Sequence, residues 1–260
     1  MINSVQFFDV SFFILSVYFF VDSVNFFLNM YLYHGKGAFG SIFTEKNDLT
    51  ENFIILKKIT KIPILYLFIG RILVLILSFS FKYFLFLLFF IQLILFYRNY
   101  LYMDASEKFL LLILFGYAMY GISITEYLRQ LSIFFISFSV FIVYFSTAYH
   151  KIKSSYWRKG KIFESIFSSE SLYNPTVVKF FQEKKLLSKF LAWGIIFFQM
   201  FFFTCIFDSK VLFLILGTGI IFHFINAYFL KLYSFFIIFT STYPLIYFTS
   251  LKVQSFLLSI

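Results

Sequence analysis

The chain has 260 residues, of which 61% are hydrophobic and only 13% charged, with a formal net charge of +10. Soluble domains run at about 45–50% apolar and about 25% charged residues, so a water-soluble globule is excluded and an all-α polytopic membrane protein is expected. One cysteine leaves no disulfide framework and no thiolate metal site, and the basic residues flank apolar runs instead of forming the basic-aromatic surface that nucleic acid requires.

A spanning helix needs roughly 17–25 mostly apolar residues, and eight segments qualify or come close: 7–31, 62–81, 83–97, 109–126, 131–149, 190–207, 211–230 and 234–251. The first is interrupted by Asp9, Asp22, Asn25 and Asn29. Isolated carboxylates are costly at mid-membrane, so this segment either spans beside partners that satisfy them or lies in the interface as an amphipathic helix. It does not read as a cleavable signal, because Asp9 stands where a basic leader would be. The second and third segments form a tight hairpin around Lys82, the fourth and fifth are joined by residues 127–130, and the sixth and seventh by residues 208–210. Turns this short make their neighbours antiparallel. The runs are continuous, whereas outer-membrane barrel strands alternate apolar and polar residues, so helices are expected. The 46 Phe read first as coding bias and second as lipid-facing surface.

Charge placement gives the map a direction. If the segments alternate sides, seventeen of the 22 basic residues fall on one side, four (Lys82, Arg129, Lys210 and Lys252) on the other, and Arg71 inside a span. That asymmetry is the positive-inside signature, and it places the polar loop 150–189 on the cytoplasmic or, in an organelle, the matrix face. The loop reads as a solvated, partly helical connector or as a docking surface for a partner or anionic lipid. The chain therefore divides into an N-terminal hydrophobic segment and polar loop, 1–61, and a seven-helix membrane domain, 62–260.

Little catalytic chemistry is visible. The three histidines, His34, His150 and His223, lie in different segments, so a paired-His haem or copper cage is not expected, and nucleotide-binding and hydrolase motifs are missing. Arg71 interrupts an apolar span near its middle, which marks it either as a functional charge or as a side chain that snorkels or pairs with a carboxylate of a neighbouring helix. Glu126 and Arg129 have the spacing of an i, i+3 surface pair. His223 follows Gly217 and Gly219, small residues that let helix backbones approach, and is expected to hydrogen-bond across helices.

From the second segment onward, over roughly 60–255, the order and spacing of the spans resemble cytochrome c oxidase subunit three. Phe96-Tyr97-Arg98-Asn99 looks like the aromatic and Arg-containing end of that family's second helix, and the run 110–115 like its third. Thr147-Ala148-Tyr149-His150 is similar to the end of its fourth helix, and Thr218-Gly219 with His223 to its sixth. Ala118-Met119-Tyr120 stands where the family has a glutamate, and the family's Trp-His-Phe-Val-Asp stretch has no counterpart in 233–248. The resemblance implies a non-redox core subunit of the respiratory terminal oxidase in the mitochondrial inner membrane. It implies packing on the haem-copper subunit 1, structural phospholipids held in a cleft, no cofactor of its own, and Arg98, His150 and His223 as lipid-head-group or cleft-lining residues. The competing expectations are a membrane subunit of complex I or of the ATP synthase, with Arg71 or Arg129 as the essential charge, and a secondary transporter, which needs inverted repeats that the sequence does not show.

Overall fold

The computed structural model describes residues 4–29, 64–99 and 105–259, without the side chains of residues 98, 99 and 171. Helices and short turns make up the described residues, and no strand occurs among them. Twelve α-helices follow in chain order among the described residues. They are α1 (Ser4–Leu28), α2 (Ile64–Ser80), α3 (Phe84–Asn99), α4 (Ala105–Ile122), α5 (Glu126–Lys153), α6 (Ser155–Arg158), α7 (Ile162–Phe167), α8 (Pro175–Glu183), α9 (Lys185–Met200), α10 (Ser209–Leu230), α11 (Tyr233–Ser241) and α12 (Tyr243–Leu257).

Among the described residues five helical segments are long and apolar enough to cross a membrane: α1, α4, α5, α10, and α11 with α12 taken together. The apolar helices α2 and α3 are shorter. The sixth expected segment is divided, because α9 ends at Met200 and the chain tightens into a 3-10 helix, Phe202–Ile206. The eighth is interrupted at Thr242, two residues before Pro244, whose ring cannot continue the hydrogen-bond ladder into α11. The expected turn at 127–130 is at 123–125 instead: Thr125 Oγ1 accepts the Leu128 N–H at 3.3 Å, so α5 is capped from Thr125 and starts at Glu126. The division expected at residue 61 falls outside the described residues.

The chain forms two compact units, Met1–Ile136 with Ile237–Leu245, and Ser137–Phe236 with Ile246–Ile260. In the first unit α1 is packed along one face, while Val10, Phe13, Phe20 and Leu28 lie exposed on the other. Its buried residues Ser4, Phe8, Ser11, Phe12, Leu15, Tyr18, Phe19, Ser23 and Phe26 recur every three or four positions, which lines one face of a helix. That face is covered by α2 and α4. Phe12 meets Phe79 at 5.0 Å between ring centroids, and Phe26 stacks on Phe68 at 3.8 Å, so numbering rises along α1 as it falls along α2. The two helices are antiparallel. Against α4, Phe8 stacks on Tyr120 at 3.7 Å, Ser11 Oγ and Tyr117 Oη are 2.5 Å apart, and the Ser11 hydroxyl also donates to the Ser241 carbonyl. Gly116 and Gly121 permit close approach. A Cβ on Gly116 would collide with the Ile136 side chain, and one on Gly121 with the Lys82 carbonyl in the α2–α3 turn.

In the second unit the connector between α5 and α9 is folded. Phe163 stacks on Phe181 at 4.9 Å, Gln182 donates to Glu164 at 2.8 Å, and Asn174 caps α8 ahead of Pro175. Gly160, at φ 73°, turns the chain so that its carbonyl accepts the Ser188 hydroxyl of α9. The α10 helix buries one narrow stripe, Leu212, Gly219, His223 and Ala227, while Phe213, Leu214, Ile221, Phe224 and Tyr228 lie exposed. Such an apolar surface matches a lipid environment.

Candidate functional site

Two polar constellations lie inside these apolar helices. The first surrounds Arg71, which is 1% exposed in the middle of α2. Its Nη1 is 2.7 Å from Asp22 Oδ2 and donates to Gln92 Oε1 at 3.3 Å, while Nη2 donates to Ser23 Oγ at 2.7 Å. Phe68 and Phe19 present their rings 4.4 and 5.4 Å from the guanidinium carbon. An unpaired Arg or Asp at mid-membrane costs roughly 2.5–3.5 kcal/mol on insertion scales, and pairing removes most of both penalties at once. Arg71 pairs with a carboxylate of a neighbouring helix, as one of its sequence readings expects. The same contact answers why Asp22 is tolerated in α1. A second rung, Lys82 to Asp9 at 2.6 Å, repeats the arrangement near the other end of both helices.

The second constellation lies within the second unit and combines α5, α9 and α10. Tyr144, Ala148 and Lys151 follow one another at i, i+4 and i+7, so they share a face of α5. Tyr144 is buried, stacks on Phe202 at 4.0 Å, and places its hydroxyl 2.6 Å from His223 Nε2. Two turns of helix further on, the half-buried Lys151 donates from Nζ to Gln199 Oε1 at 2.7 Å and lies over the Trp157 ring at 4.7 Å. No carboxylate among the described residues lies within ion-pair distance of Lys151. A hydrogen bond from a charged donor contributes about 1.5–3 kcal/mol and a cation over an aromatic face about 0.5–2 kcal/mol, but neither neutralises the ammonium. The site sets a positive charge and hydrogen-bonding groups among apolar helices.

The residues expected from sequence are distributed differently. His223 belongs to this second site. His150 does not, because it sits on the exposed face of α5 with its ring 5.9 Å from Tyr149. The inward position beside it is Lys151, which its place in a basic loop had concealed. The Arg98 side chain lies outside the described residues. Glu126 and Arg129 do not form the expected pair: Glu126 accepts from Ser4 and from Gln130, and Arg129 Nε donates to the Ser123 carbonyl at 3.3 Å. Capping from Thr125 brings both into the first turn of α5, where each finds another partner. Among the described residues no three His, Cys, Asp or Glu side chains converge on a point that could hold a metal ion. No family model, curated protein or solved structure matches the chain.

Proposed function

We propose that this chain is a multi-pass membrane protein whose second unit binds the anionic part of a membrane-borne molecule, with Lys151 as counter-charge and Tyr144, His223 and Gln199 as hydrogen-bonding partners. The observation that carries this reading is Lys151 itself, an ammonium half-buried between apolar helices with a neutral amide as its acceptor and no carboxylate beside it. Intramembrane and membrane-edge charges that the protein does not pair are the ones free to meet a ligand. Arg71, by contrast, has both terminal nitrogens engaged by Asp22, Ser23 and Gln92, which argues against the essential mobile charge that a proton-translocating subunit would need. The test is retention of anionic against zwitterionic lipids or lipid-linked molecules by the purified chain. Lys151→Met lowers anion retention by roughly tenfold, the value of one charge-assisted hydrogen bond, while thermal unfolding in detergent changes little. Equal retention by wild type and Lys151→Met rejects the reading.

The resemblance to the oxidase subunit names a setting for such a site: a non-redox subunit in the mitochondrial inner membrane, holding structural phospholipid beside the haem-copper subunit. It is supported by the sequence motifs around Arg98, His150 and His223. Affinity purification from membranes would then recover haem a and copper subunits, and recovery of flavin-bearing or rotor subunits would reject it. The map itself requires α9 with its 3-10 extension to cross the bilayer. Cysteines placed at Ser155 and Ser209 should label from opposite faces, and labelling from one face overturns the seven-span count.

A further inference from the structure

The two ion pairs between α1 and α2 are built differently. In the first, Arg71 is 1% exposed and supplied with additional hydrogen bonds while Asp22 is 31% exposed; in the second neither partner is buried, with Lys82 30% and Asp9 47% exposed. Beside the open pair is a recess of about 440 Å³ lined by Asp9, Val10, Phe12, Phe13, Phe79 and Lys82. A pair serving packing alone has no use for an open apolar recess next to it. We infer that the Asp9–Lys82 pair and this recess bind the head group of a zwitterionic aminophospholipid, one whose phosphate lies next to a primary ammonium, as in phosphatidylethanolamine.

The location suits a head group. Lys82 lies in the turn between α2 and α3, and Asp9 lies about 7.5 Å along α1 from Ser4 at 1.5 Å per residue. Polar head-group layers occupy roughly 5–7 Å on each side of the hydrocarbon core. The chemistry also fits. A lysine ammonium has three donors, and the one acceptor that Lys82 has among the described residues is Asp9 Oδ1. Its remaining surroundings include the faces of Phe8 and Phe12, each 5.6 Å from Nζ. Asp9 retains a second oxygen. Positive and negative charge therefore stand side by side at the mouth of an apolar recess. A zwitterion laid head to tail against them places its phosphate on Lys82 and its ammonium on Asp9, without breaking the protein's own ion pair. An acyl chain can then follow Phe12, Phe13 and Phe79. A choline head group offers no N–H to Asp9, and the extra carboxylate of a serine head group would face Asp9 with like charge. The inference rests on its own residues and is independent of the site at Lys151.

The experiment uses the full chain in vesicles of mixed phosphatidylethanolamine, its mono- and dimethylated forms, phosphatidylcholine and phosphatidylserine, with bound lipid counted by native mass spectrometry. The expected result for wild type is roughly tenfold enrichment of phosphatidylethanolamine over phosphatidylcholine, falling stepwise as N–H donors are replaced by methyl groups. The charge swap Asp9→Lys with Lys82→Asp keeps an ion pair between the helices but exchanges its ends, and should abolish the preference at unchanged thermal stability. Enrichment independent of methylation, preference for the serine lipid, or full selectivity in the folded swap variant each overturns the proposal. The methylation series needs no variant, so it decides the matter even where the swap fails to fold.

Discussion

The two units handle charge in opposite ways. In the first, each acidic residue of α1 that faces α2 has a basic partner, Asp9 with Lys82 and Asp22 with Arg71, and the buried rung is completed by Ser23 and Gln92. In the second, the polar core is Tyr144, His223, Gln199 and Lys151, and the ion pair among its described residues is the exposed Lys179–Glu183 contact at 4.0 Å. A charge paired with its opposite inside the bilayer holds helices together, while one given only neutral partners retains unspent attraction for an anion. The contrast is between a unit whose helix charges are matched in pairs and one whose Lys151 has only neutral partners among the described residues.

The largest effect should come from breaking the enclosed rung. Arg71→Ala leaves Asp22 without its cation and opens space beside Phe68, at a cost of about 3–5 kcal/mol. The measurement is detergent unfolding of the purified chain. The double variant Arg71→Met with Asp22→Leu should recover most of that loss, because both charges leave together. If the double variant is no better than the single one, the rung is not a matched pair, and the contrast between the units weakens.

A somewhat smaller effect is expected where backbones touch. Gly121→Ala directs a methyl group at the Lys82 carbonyl, and rigid backbone cannot step aside as a side chain can. Overpacking of this kind costs about 1–3 kcal/mol. Gly194→Ala, in open space on α9, is the control and should be neutral or slightly stabilising through helix propensity. Within the second unit, Tyr144→Phe removes one interhelical hydrogen bond to His223, for which membrane proteins lose about 0.6 kcal/mol on average. The same change should weaken ligand retention beyond this stability loss; a change in stability alone would reduce Tyr144–His223 to packing.

Helix positions were largely legible because continuous apolar runs leave the backbone no alternative to internal hydrogen bonding in lipid. Residues 211–230 against Ser209–Leu230 illustrate this. Boundaries were less so: the Thr125 cap and the break at Thr242 depend on local hydrogen bonds and proline geometry that hydropathy does not weigh. Arg71 and Asp22 were each recognised as anomalous, yet their pairing spans residues far apart in sequence, and one sequence carries no record of such contacts. Lys151 was missed for a different reason. It neighbours His150 in a basic stretch, and only the helical phase, one face carrying Tyr144, Ala148 and Lys151, shows which of the two turns inward.

The smallest predicted effect concerns Asp208, which starts α10. Its exposed carboxylate accepts the N–H groups of Val211 at 3.0 Å and Lys210 at 2.7 Å. These bonds, the Val211 contribution first, hold its pKa below the ordinary aspartate value. A depressed folded pKa means that the ionised form is favoured by folding. The stabilisation is therefore complete above the unfolded value and is lost as pH falls through the folded one. Amide exchange at Lys210 and Val211 should accelerate across that acid window, and Asp208→Ala should show fast exchange there already at neutral pH. Exchange in the α5 turn at Leu128, capped by the non-titrating Thr125 hydroxyl, should show no such acid step. A matching step there would mean that acid loosens the helices as a whole, and that the Asp208 cap is not its cause.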